Sequence, residues 1–142
     1  MNIDQQVLDD LIAKAKASPR LRMNYDLRNT PEDNSQRMLN AMEPGTVIPI
    51  HRHLASSETV VLLRGRISWH FYDDAGNEID SVVIDSNREP RCLNVEQGRW
   101  HSLECLESGS VLLEAKDGKY KPLGEDEVME KEKTNKNNNE CI

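Results

Sequence analysis

Three histidines and one glutamate carry the chemistry that can be read from this sequence. His51 and His53 are separated by one residue. On an extended strand such a pair projects to one side, because successive side chains alternate between faces. Two neutral imidazole nitrogens on one face suit a transition metal held at about 2.0–2.1 Å. Glu58 opens the next run and shares a face with Val60, Leu62 and Arg64. A carboxylate on a mostly apolar face is costly unless it is paired or coordinated, which singles out Glu58 as a candidate site residue. The fragment Gly98-Arg99-Trp100-His101 can supply a third imidazole. Taken alone, a His-X-His pair is better read as two solvent-facing side chains. With Glu58, His101 and the bracketing Gly45 and Gly65, a metal site is the favoured reading. His70 alternates with Trp69 and Phe71 and reads as an ordinary hydrogen-bonded histidine, with a pocket role as the alternative.

These side chains must be positioned by a mainly β scaffold. From Gln36 onward, short alternating runs are separated by turn residues. They are Gln36–Met42, Thr46–His53, Glu58–Arg64, Arg66–Tyr72, Glu78–Ile84, Cys92–Val95, Trp100–Leu106 and Val111–Ala115. Asp73-Asp74-Ala75-Gly76-Asn77 marks a hairpin. Many short strands at this spacing suggest a sandwich or barrel. Ahead of them, Ile3, Val7, Leu8, Leu11, Ile12 and Ala15 recur at helical spacing. Asp4 is placed to cap the start and Ser18-Pro19 to end the run. The expected organisation is a helix over 1–20 packed on the barrel, a β-barrel domain over 21–124, and a disordered polar tail over 125–142. That tail is rich in charge and asparagine and poor in apolar residues. A frayed helix over Glu125–Lys133 is the alternative for its first part.

The chain has 142 residues, enough for one core. Its net charge of -7 argues against nucleic acid or an anionic membrane as the main partner, since both require a basic face. No apolar run approaches the roughly 20 residues that span a bilayer. Cys92, Cys105 and Cys141 include no Cys-X-X-Cys pair, so neither a disulfide framework nor a zinc ribbon is indicated. Free thiols and the absence of a signal-type apolar block point to the cytoplasm.

The region from Gly45 to about Cys105 resembles the cupin superfamily. Gly45, His51, His53, Glu58 and Gly65 match every fixed position of the first cupin motif. In the second motif Gly98 and His101 match, while Pro90, Glu96 and Cys105 replace its glycine, proline and asparagine. Leu21–Leu27, Asn34–Asn40 and His51-Arg52-His53 look like the WbuC family of cupin-fold metalloproteins, a likeness running to about Glu127. That family is associated with bacterial surface-polysaccharide gene clusters.

The resemblance implies a jelly-roll barrel (a double-stranded β-helix) with a metal on His51, His53 and His101. Glu58 would be a fourth ligand or stand just behind the ligands. Zinc, iron, manganese and nickel all accept such donors. Asn24, Arg28, Arg37, Arg64 and Arg99 are candidates to meet an anionic or hydroxyl-rich small molecule; the alternative is ordinary surface ion pairing. Three functions follow as expectations. The leading one is a metal-dependent enzyme that isomerises or epimerises a sugar or nucleotide-sugar. The others are an Fe(II)-dependent dioxygenase-type cupin and a non-catalytic, metal-stabilised sugar-binding or regulatory module. The helix and the exposed sheet edges suggest a homodimer.

Overall fold

Residues 1–129 are described in the computed structural model of the chain. The first element is α1, Gln5–Ala17. Asp4 caps it by accepting a hydrogen bond from the Val7 N–H at 3.1 Å. It ends at Ser18, which takes the extended backbone that a following proline demands. Leu8, Leu11 and Ala15 form its buried stripe.

Eight strands follow: β1 Arg22–Asp26, β2 Ser35–Met42, β3 Glu58–Arg64, β4 Arg66–Tyr72, β5 Glu78–Asp85, β6 Cys92–Val95, β7 Trp100–Cys105 and β8 Ser110–Asp117. They form a five-stranded sheet in the order β1-β2-β8-β3-β6 and a three-stranded sheet in the order β5-β4-β7. Every strand pair is antiparallel. This is the expected jelly roll with a short N-terminal helix. The sheets face each other across a core that includes Val60, Leu62, Ile67, Trp69, Ile84, Leu103 and Leu112. The helix covers the outer face of the larger sheet, where Leu8, Leu11 and Ala15 meet Leu39, Ala41 and Val111.

Gly65 is required by the turn from β3 to β4. Its φ is +83°, and a Cβ there would lie 2.7 Å from the Ser110 Cα.

Three parts of the fold differ from the sequence expectation. β1 is a strand that its polar composition concealed; it pairs with β2 from Arg22↔Met42 to Asp26↔Met38. Thr46–His53 is not a strand of either sheet. Pro49 brings no N–H to a ladder, and the Thr46 hydroxyl turns back onto the carbonyls of Leu21 and Glu43. Only His51 forms bridges, one to His101 and one to Val128. Finally, Glu125–Met129 is docked, although it was expected to begin the tail. It contains a 3-10 turn, Glu125–Glu127, followed by the buried Val128. The rest of that tail, with Cys141, lies outside the described residues.

Candidate metal centre

The segment carrying His51 and His53 has no sheet of its own, so its neighbours hold it on both sides. On one side His51 and His101 exchange backbone hydrogen bonds of 2.9 and 2.8 Å. On the other side lies the strap Glu125–Met129. The Arg52 N–H donates to the Glu127 carbonyl at 2.9 Å, and the Met129 N–H to that of Ile50 at 3.0 Å. The Glu127 carboxylate accepts from the Leu54 N–H at 2.9 Å, one residue beyond His53. Backbone pairing from both sides keeps the segment extended, so His51 and His53 still share a face although no sheet contains them.

The three imidazoles converge. The metal-binding atoms of His51, His53 and His101 all lie within 4.8 Å of one another. The Nδ1 of His51 bonds the Pro49 carbonyl at 2.8 Å, and that of His101 bonds the Arg99 carbonyl at 2.9 Å. With Nδ1 used as a donor to a carbonyl, each ring keeps its Nε2 lone pair free, which is how metal-binding histidines are oriented. Trp69 stacks on His101 with ring centroids 5.6 Å apart. Burial, reinforced by His101 and His53, pushes the His51 pKa well below the usual histidine value. Burial also lowers that of His53, against the opposing pull of Glu58. Both rings are thus held neutral, the form that binds metal.

Glu58 completes the cluster. Its Oε2 lies 3.3 Å from His53 Nε2 and 3.5 Å from His101 Nε2. Burial opposes its ionisation, but its cross-strand neighbour Lys116, helped by His101 and His53, holds its pKa well below the usual carboxylate range. The Nε2 atoms of all three histidines and Oε2 of Glu58 are buried without a hydrogen-bond partner. Three unpartnered imidazole nitrogens around one point are expensive for a fold to keep, and a divalent metal satisfies them together. The residues fit the group: His51, His53 and His101 would hold it, with Glu58 beside them.

A second layer was not anticipated from the sequence. Glu114 and Lys116 of β8 project inward with Leu112, beside Asn40 and Gln36 of β2. All four are buried. Burial first, then the negative charge of Glu58, raises the Glu114 pKa to about 8, while Asn40 hydrogen-bonds its carboxyl. The inner face therefore holds one ionised carboxylate, one protonated carboxyl and an ammonium group.

The expected rim residues fall in different places. Asn24 and Arg28 line one groove. Arg37 is tied to Asp33 at 3.1 Å and to Ser35. Arg64 turns toward the helix, where it meets Asp9 at 2.6 Å and Gln5. A register shift between Leu62 and Arg64 takes it off the Glu58 face. Arg99 lies over the Phe71 ring at 3.8 Å and pairs with Glu96 and Asp80. His70 bonds Glu78 on the outside of the smaller sheet, an ordinary hydrogen-bonded histidine as expected.

Two antiparallel sheets closed over a triad of converging imidazoles define a cupin-fold protein with a candidate divalent-metal site. Solved structures share this architecture. The chain resembles the capsular polysaccharide assembling protein CapF from Staphylococcus aureus, with TM-score 0.55 and 18% identity over 68% of this chain and 26% of that one. It also resembles KdgF from Halomonas sp., with TM-score 0.57 and 12% identity over 72% of this chain and 84% of that one. For a mutant of Bacillus subtilis oxalate decarboxylase OxdC the values are 0.53, 19%, 68% and 25%. The chain thus spans about a quarter of the length of CapF, and at these identities the likeness is one of fold. No curated protein matches it in sequence. The chain belongs to the family described as "Domain of unknown function (DUF6016)", whose model matches residues 3–84. No helix among the described residues is long and apolar enough to cross a membrane.

Proposed function

We propose that this cupin is a metal-dependent enzyme that moves a proton on a sugar or nucleotide-sugar, as an isomerase or epimerase does. The observation that carries this reading is Glu58. It is an ionised, buried carboxylate whose Oε2 has no hydrogen-bond partner and lies within 3.5 Å of two candidate metal ligands. The resemblance to the WbuC family, and the name of CapF as a capsular polysaccharide assembling protein, support a saccharide as the substrate.

A bound divalent metal would polarise a substrate oxygen and acidify the adjacent C–H. The chain's own groups would do the rest. Glu58 Oε2 would accept the proton and return it. Lys116 keeps Glu58 ionised despite burial. Glu114 holds a proton at neutral pH beside it and stands as the next member of a relay. The apolar wall that includes Trp69 and Leu103 keeps bulk water from that side of the site.

The test is solvent exchange. Metal-loaded protein incubated in D2O with a panel of nucleotide-keto-sugars should incorporate deuterium into at least one. Glu58→Gln should abolish the incorporation while retaining metal. No uptake and no new product across the panel would defeat the proposal.

A further inference from the structure

The inner face of the five-stranded sheet carries more oxygen acceptors than the protein satisfies. Besides Glu58 Oε2, the atoms Asn24 Oδ1, Asn40 Oδ1 and Glu114 Oε2 are shielded from solvent and lack a hydrogen-bond partner. The first two are neighbours, since Asn24 and Asn40 are cross-strand partners on β1 and β2. Glu114 lies one strand further, opposite Met38. Glu58 Oε2 belongs to the histidine cluster; none of the other three does. Glu114 carries its own proton and hydrogen-bonds Glu58 and Asn40, which leaves the two asparagine oxygens calling for O–H or N–H donors; of the two, Asn24 is the one that faces a groove.

Asn24 also lines a groove of about 470 Å³ with Asp26, Arg28, Gln36, Met38 and Tyr120, a volume typical of small-molecule sites. The Arg28 guanidinium is held rigidly there. It grips Asp26 through Nε and Nη2 and lies over the Tyr120 ring at 5.7 Å. Gln36 is a wall of this groove and also of a smaller cavity of about 150 Å³ that contains His53. The groove therefore adjoins the cavity beside His53 through one amide side chain. From Asn24 on β1 to Glu58 on β3 is three strand spacings across the sheet, about 14 Å, and four residues along it, about 13 Å, because Asn24 is level with Leu62 through Asn40 and Leu112.

We propose that the groove and the cavity beside His53 are two halves of one elongated site for a hydroxyl-rich ligand of two sugar-sized rings or more. It rests on the proposed function in placing one end of the ligand at the histidines. A hydroxyl suits these walls because it donates and accepts at once. It donates to Asn24 and Asp26, and it accepts from Arg28 and the Gln36 amide. A compact anion brings no donor to Asn24 and Asp26, and an apolar ligand leaves both unmet. A single ring cannot reach from Asn24 to Glu58.

The experiment uses the full chain loaded with zinc. It is screened against an array of mono- to tetrasaccharides, and the hits are titrated calorimetrically with wild type, Asn24→Leu and Arg28→Ala. The expected result is binding confined to disaccharides and longer, weakened at least about tenfold in both variants, with zinc affinity unchanged. Arg28→Ala removes a partly exposed ion pair and keeps the test open if Asn24→Leu fails to fold. Absence of saccharide binding, equal binding of monosaccharides, or wild-type affinity in Arg28→Ala would each overturn the proposal. Saccharide binding without deuterium exchange would sink the enzyme reading and leave the groove standing. Exchange on a small sugar without groove dependence would do the reverse.

Discussion

The five-stranded sheet has two buried faces that are built differently. Its outer face sets Leu39, Ala41 and Val111 against Leu8, Leu11 and Ala15 of the helix. Its inner face, on the same strands, presents Asn40, Glu114, Lys116 and Glu58 together with Val60, Leu62 and Leu112. Burial is nearly complete on both, so burial alone does not distinguish them. The outer face is satisfied by apolar contact. The inner face keeps orphaned acceptors and a carboxyl that burial holds in its protonated form. Folding stability does not favour such an arrangement, because apolar side chains of similar volume are as good or better there. The comparison separates the face that holds the domain together from the face that works.

If the separation is real, damage to each face should show in a different measurement. The largest effect belongs to the inner face. His51→Ala should weaken divalent-metal binding by more than about a hundredfold, beyond the usual cost of losing a group behind a ligand, as read by competition with a chromogenic chelator. Leu39→Ala should leave metal affinity unchanged and lower stability by about 2–5 kcal/mol, as read by denaturant unfolding. Metal loss in Leu39→Ala without unfolding would erase the distinction.

Glu127→Ala tests whether the strap positions the ligands. It removes the acceptor of the Leu54 N–H next to His53. Metal affinity should fall by about tenfold, with little change in the chelator-treated melting temperature. A large drop in melting temperature and no change in affinity would make the strap merely structural.

Glu114 gives a pH signature. Its carboxyl ionises near 4.5 when unfolded and at about 8 when folded. Between those values the folded chain binds the extra proton. Its contribution to stability is therefore full below about pH 4.5 and is lost as pH rises through about 8. Relative to Glu114→Gln, metal-free wild type should lose stability steadily across that window. A constant difference between the two would show that Glu114 ionises normally.

The smallest effect concerns thiols. Cys92 is exposed and Cys105 is buried, with burial raising the Cys105 pKa. Alkylation followed by peptide mapping should label Cys92 promptly and leave Cys105 protected in the native state. Equal labelling would mean that the barrel opens at β7.

The same comparison explains what the sequence disclosed. The helix stripe, the strand runs and the three histidines were legible because spacing alone fixes which side chains share a face. The interior carboxyl and ammonium were not. In Leu113-Glu114-Ala115-Lys116 charged residues alternate with apolar ones, the pattern of a strand with one face in water. Only the register, which sets Lys116 against both Gln36 and Glu58, turns them into the barrel. Arg64 failed in the opposite way, because a local shift in pairing moved it off an alternating face. The strap was hidden because Glu125–Met129 is mostly charged. Its attachment uses backbone groups, the Glu127 carboxylate and a single apolar residue, Val128, none of which leaves a periodic pattern.

The central claim is that His51, His53 and His101 hold a metal. Metal analysis of the full chain purified without added metal, followed by titration of the chelated protein, tests it most directly. The account predicts one divalent ion per chain, lost in His51→Ala, His53→Ala and His101→Ala and retained in Leu39→Ala. A wild-type chain that binds no ion, or a His51→Ala chain that binds one as tightly as wild type, would contradict it.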